Sequence, residues 1–223
     1  AIANAGGYGV YSATRMFPHE IKEEPAAIRK LAGDKSFGVD LVLPPGMPEH
    51  NSREAIEAEI PEEHKAFVEK LIDKFQVPAA TQPGMRTRFI RSTEIEEEQI
   101  QAVLDSSVDM FACGIGAPAH VMKAAKARGK TTLALIGSPH HVQRAIDAGV
   151  EILVAQGYDA GAHTGPIGTY SLVPQIVDAA GDTPVLVAGG VATGRHIAAA
   201  LAMGAQGVWM GTAWLLSKEH QGH

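Results

Sequence analysis

Residues 110–155 read MFACGIGAPAHVMKAAKARGKTTLALIGSPHHVQRAIDAGVEILVA. Three short apolar runs, Met110–Gly114, Thr132–Ile136 and Glu151–Ala155, are separated by the amphipathic stretches Pro118–Arg128 and Pro139–Ala148. Strands alternating with helices of this length cannot pair as hairpins. They predict right-handed βαβ units and a parallel sheet whose strands are covered on both faces.

The same rhythm extends in both directions. Downstream, a helix over Tyr170–Ala180 leads to a strand over Pro184–Ala188, and a helix over Gly194–Met203 leads to Gly207–Met210. Upstream lie a helix over 94–107, a strand over Phe37–Leu43, a helix over Pro18–Leu31 and a strand over Gly9–Ala13. The helix at 18–31 starts acidic and ends basic, as the helix dipole favours. Between 44 and 93 the rhythm breaks: six of the thirteen prolines fall there, around one amphipathic helix over Glu62–Phe75. Because the alternation resumes afterwards, the break reads as an elaboration inserted after the 37–43 strand, within one domain over 1–223. Doubly wound sheets and (β/α)8 TIM barrels both satisfy the pattern. Seven strands are counted where a barrel needs eight. If Ala1–Ala5 ends a preceding helix, the expected fold is a barrel lacking its first strand in this chain.

Composition narrows the function. The 223 residues carry 19 Lys plus Arg against 25 Asp plus Glu, a formal net charge of −6. That balance argues against a nucleic-acid binder, whose footprint is basic. A single cysteine, Cys113, excludes a disulfide framework and fits a reducing, cytoplasmic compartment. No apolar run reaches membrane-spanning length, and the start does not read as a signal peptide. No HExxH or His/Cys cluster is present, so no metal site is expected.

Two glycine-bearing loops follow consecutive strands: Ala188-Gly189-Gly190 and Met210-Gly211-Thr212. Each alone reads as a tight βα turn, but together they match the phosphate grip that barrels build from their last two loops. Thr212 would add a hydroxyl. A third loop, Gln156 to Gly165, begins where a strand ends and holds His163 among small residues. Gln156 offers an amide suited to the polar edge of a planar heterocycle. His163 is a candidate general base, although a loop histidine bonded to backbone is an equal reading. His140-His141 reads as a helix start, His196 as helix surface, and His19, His50, His64, His120, His220 and His223 show no ligand spacing. Cys113 reads as a buried hydrophobe. The acidic runs Glu57–Glu63 and Glu94–Glu98 read as solvated helix N-termini. Asn4-Ala5-Gly6-Gly7-Tyr8-Gly9 precedes a strand, the wrong order for a dinucleotide fingerprint.

In order, Asn4–Gly9, Phe37–Leu41, Gln156–Gly165, Ala188–Gly190 and Met210–Thr212 resemble the nitronate monooxygenase family, formerly the 2-nitropropane dioxygenases. The resemblance implies an FMN-dependent TIM barrel with the flavin across the C-terminal ends of the strands. It implies that Gln156 and Gly161 contact the isoalloxazine side, and that Gly189, Gly190, Gly211 and Thr212 grip the phosphate. Asp40, Trp209 and Met210 fall at further cofactor positions, and His163 matches the active-site histidine. The implied reaction oxidises alkyl nitronates or nitroalkanes with O₂ to a carbonyl compound and nitrite. Alternatives are an FMN-dependent enoyl-reductase of fatty-acid synthesis and a truncated, non-catalytic FMN-binding barrel. The expected partners are small molecules, with neither nucleic acid nor membrane, and a homo-oligomer is left open. Three positions depart from the family pattern: Asp40 where asparagine is usual, Ala162 where the loop usually reads Gly-Gly-His, and Trp209 where a smaller polar residue is commoner.

Overall fold

The computed structural model describes residues 1–49, 52–81, 84, 88–218 and 220, so His50 and His223 lie outside the described residues. Seven strands form one sheet: β1 (Gly9–Ser12), β2 (Phe37–Val42), β3 (Met110–Gly114), β4 (Thr131–Ile136), β5 (Ile152–Gln156), β6 (Val185–Ala188) and β7 (Gly207–Val208). They lie in sequence order and each neighbouring pair is parallel. Sequence order without reversal is the order of a barrel; a doubly wound sheet reverses at a switch point. The open question between those two folds is therefore decided for the barrel type.

Helices α1 (Pro18–Ala32), α2 (Arg53–Glu59), α3 (Glu62–Phe75), α4 (Thr93–Asp105), α5 (Ala119–Ala127), α6 (Val142–Ala148), α7 (Thr169–Ala180) and α8 (Gly194–Ala202) make the connections. Strand alternation divides the core in two. Val39, Leu41, Phe111, Cys113, Leu153, Val185 and Val187 face the helices, against Ile21, Val103, Met122 and Ile176. On the other, concave surface, Met110, Ala112, Leu133, Val154 and Ala188 form a second cluster, with Val10, Leu135, Ile152, Leu186 and Trp209 packed on it. That inner layer is what a barrel interior requires.

Several expected boundaries shift. The last strand stops at Val208 rather than Met210: Trp209 N–H still donates to the Val187 carbonyl at 2.8 Å, but the ladder goes no further. Helix 139–148 is split into a 3-10 turn, Pro139–His141, and α6, with the Ser138 hydroxyl accepting from His140 N–H. Ala3–Ala5 is one 3-10 turn. The elaboration at 44–93 holds a second helix, α2, that periodicity alone did not reveal. Ser52 caps it by accepting the Ala55 N–H at 3.1 Å. Glu57 and Glu59 therefore end one helix, while Glu62 and Glu63 open the next. The run 57–63 is not one N-terminus. Glu94 and Glu96, in contrast, do occupy the first turn of α4, but Glu96 is not solvated: it pairs with Arg91 at 3.0 Å. No helix among the described residues is long and apolar enough to cross a membrane.

Candidate active site

Parallel strands place all their C-terminal ends on one rim, and the nominated loops converge there. Gln156 ends β5 and is only 8% exposed. Its side-chain amide donates to the His163 carbonyl at 2.7 Å, folding the following loop back over the strand end. The structure thus gives Gln156 a positioning role toward the histidine loop that the sequence did not suggest. The His163 side chain is exposed, and it is its carbonyl, not its imidazole, that is tied.

The glycines of this loop are required by close approach. A Cβ on Gly157 would strike the Thr169 backbone nitrogen and hydroxyl, and one on Gly165 would strike the Gly137 carbonyl. A Cβ on Gly161 would lie 2.8 Å from Thr212 Oγ1. The β5 and β7 loops therefore touch through Gly161 and Thr212. The β6 loop joins them: Gly189 has φ +102°, and a Cβ there would lie 3.2 Å from Ala160 N. Gly190 follows with φ +72°. Four nominated residues, Gly161, Gly189, Gly190 and Thr212, are thus gathered at one corner of the rim. Gly211 opens the 3-10 helix Thr212–Leu216. Trp209 and Met210 are half-buried, and Trp209 packs on the concave cluster.

Two residues that were not nominated hold this corner together. The Asp159 carboxylate accepts the Thr169 N–H at 2.7 Å at the start of α7. This bond, with that from the Thr169 hydroxyl, holds the Asp159 carboxyl below the usual range. The Thr169 hydroxyl also lies 3.2 Å from the Gly189 carbonyl, which pins the β6 loop. Nearby, His196 is not idle helix surface. Its Nδ1 accepts the N–H groups of Ala192 and Thr193, each at 3.2 Å, and so caps α8. Asp159, Thr169, Gly189, Gly190 and His196 line a cavity of about 240 Å³ whose floor reaches Val187 on the helix side of the sheet. No group of three or more His, Cys, Asp or Glu residues suited to a metal exists among the described residues.

Asp40 stands apart. It lies in mid-β2, in register with Ser12 and Ala112, facing the concave surface and not the glycine corner. Burial pushes its carboxyl up to about 6, while a hydrogen bond from Ser12 pulls it down. The folded chain therefore holds this proton more tightly than the unfolded one. Its stability contribution is intact below about pH 4 and is lost as pH rises through about 6. We expect Asp40→Asn to flatten that decline in urea-melt stability between pH 4 and 7. Cys113 is free and fully buried, and burial with the nearby Asp40 charge raises its thiol well above normal, as an inert core residue requires.

The chain matches the description of nitronate monooxygenases over residues 1–223. It is 38% identical over 232 residues to Rv1533 of Mycobacterium tuberculosis, named as a candidate monooxygenase, covering 98% of this chain and 60% of that protein. A Staphylococcus aureus (strain MSSA476) protein named as a candidate nitronate monooxygenase is 30% identical, with 98% and 61% covered. Among solved structures, a nitroalkane oxidase from Streptomyces ansochromogenes is 26% identical with a TM-score of 0.77, covering 98% of this chain and 61% of that one. FabK from Thermotoga maritima shares the fold at 23% identity and TM-score 0.70, covering 97% and 54%. The chain spans about 60% of the length of the curated relatives it matches.

Proposed function

The chain belongs to the nitronate monooxygenase family, and from that premise we propose that it oxidises alkyl nitronates, and nitroalkanes, with O₂ on bound FMN, yielding a carbonyl compound and nitrite. The observation that carries this reading is the corner at which Gly161 meets Thr212 and Gly189 meets Ala160, in the same loop as an exposed His163. The residues present fit the cofactor. Gly211 has open space where a Cβ would stand, and the positive φ of Gly189 and Gly190 lets successive N–H groups turn toward an anion. Thr212 adds a hydroxyl donor. Gln156 would hold the loop that borders the ring, while Trp209 and Met210 would border it from just after β7.

When bound, the flavin supplies the redox chemistry; the protein binds, orients and polarises. Each residue then has a definite task. His163 would take the α-proton of a neutral nitroalkane at an imidazole nitrogen, or donate to a nitro oxygen of a nitronate that arrives already deprotonated. The Gln156 bond to the His163 carbonyl fixes where the imidazole starts from. The apolar concave layer would help to exclude water from the ring.

The test is reconstitution with FMN followed by two assays. We expect a yellow protein that takes up flavin and shows no enoyl-thioester-dependent oxidation of NADPH. A protein that stays colourless with excess FMN overturns the reading. Enoyl-dependent NADPH oxidation without nitronate turnover reassigns the site to an enoyl reductase.

A further inference from the structure

One polar pair stands in the otherwise apolar concave surface, and nothing in the chemistry above uses it. Asp40 and Ser12 are in register on adjacent strands. Around them the surface is Val10, Met110, Ala112 and Leu133, with Leu135, Ile152, Val154, Leu186 and Ala188 farther across. Asp40 is half-buried on this surface. No ion pair among the described residues involves Asp40.

Among the described residues of β1, β2 and β3, the other titratable groups face elsewhere. On β1, Tyr11 packs on the helix-side core, where Glu24 of α1 adds to its raised phenol. On β3, Cys113 is in that same core. At the C-terminal end of β2, Arg91 donates to the Val42 carbonyl and pairs with Glu96 of α4 at 3.0 Å, so its charge is already answered. The concave layer of β3 to β6 contributes no titratable side chain. Among the described residues, a carboxylate in this position has one hydroxyl and no ion-pair partner to support its charge. A carboxylic acid there, by contrast, keeps one O–H to donate while its other oxygen accepts from Ser12.

We propose that Asp40 works as a neutral acid, donating a hydrogen bond from the concave floor to an electron-rich acceptor of the bound flavin ring, and thereby makes cofactor affinity depend on pH. This inference rests on the flavin reading above. Its direction follows from the chemistry: ionised Asp40 offers no donor and sets a negative charge against the ring's carbonyl edge. Burial places the change from acid to carboxylate near pH 6, inside the range where a cell operates. Ser12 tunes the midpoint, because its hydroxyl supports the ionised form.

The test is titration of FMN fluorescence quenching at a series of pH values from 5 to 8 for the wild type, Asp40→Asn and Ser12→Ala, with far-UV circular dichroism of each. The phosphate of FMN itself loses a proton near pH ~6, so the comparison between proteins is what counts. We expect the wild-type Kd to rise across the series by at least about tenfold more than that of Asp40→Asn, whose amide donates throughout. Ser12→Ala should move the wild-type midpoint to higher pH. Identical pH dependence in wild type and Asp40→Asn, both binding FMN, overturns the role of Asp40 and leaves the flavin reading standing. Failure of all three folded proteins to bind FMN at any pH in the series overturns both.

Discussion

His163→Ala is expected to retain its FMN and to lose about 10²- to 10⁴-fold in kcat/KM on neutral nitroalkanes, the range a general base contributes. The loop is held by Gln156 through the His163 carbonyl, by the Gly137–Gly165 contact and by the Gly161–Thr212 contact. None of these uses the imidazole, so removing it leaves the loop and the flavin corner in place. What is lost is the group that accepts the α-proton. A nitronate has shed that proton in solution, so its turnover should fall far less. Steady-state oxygen uptake on a nitroalkane and on its preformed nitronate reads the difference directly. Equal losses on the two substrates would assign His163 to polarising the nitro group; unchanged rates on both would remove it from the mechanism.

Gly165→Ala is expected to cost about 2–3 kcal/mol or more of folding stability and to abolish FMN retention. A Cβ at this position meets the Gly137 carbonyl, and a Cβ on Gly137 would lie 2.7 Å from the Gly165 nitrogen. Both sides of the contact are backbone, so no rotamer change can relieve it. Either the loop lifts from the rim, taking Gly161 and His163 with it, or the ends of β4 and β5 part. Thermal melts and bound-flavin absorbance measure the two consequences. A variant with wild-type melting temperature and full flavin content would show that the loop does not rest on β4 as described.

The strands were legible because their side chains alternate across two buried surfaces. Phe37, Val39 and Leu41 read as core, and the structure buries all three. Sequence alone left barrel and doubly wound sheet open, since strand order is set by packing between elements distant in the chain. The break between α2 and α3 was hidden by the continuous acidity of 57–63. It falls at Ile60-Pro61, where proline can begin a helix but not continue one. β7 was overread because Trp209 and Met210 extend an apolar run that the ladder does not follow.

At the candidate site, glycines and the histidine were visible as residue types at strand ends. Their supports were not. Asp159 meets Thr169 ten residues later only because the intervening loop folds back on itself, and no local spacing encodes that return. Gln156 was expected to face a ligand, yet its amide is engaged by a carbonyl seven residues on. His196 was legible as a helical residue, and its capping of α8 is a local return to the N–H groups of Ala192 and Thr193, four and three residues earlier. Asp40 was marked by its departure from the resembled family's asparagine. Its apolar surroundings and its Ser12 partner emerged only with the register of β1 against β2.

The most direct measurement is oxygen consumption with coupled nitrite release by the FMN-reconstituted protein, given propionate 3-nitronate and no nicotinamide. The account predicts flavin-dependent oxygen uptake that rises with nitronate and is matched by nitrite. An FMN-loaded protein that consumes no oxygen and releases no nitrite above the rate of free FMN would contradict it.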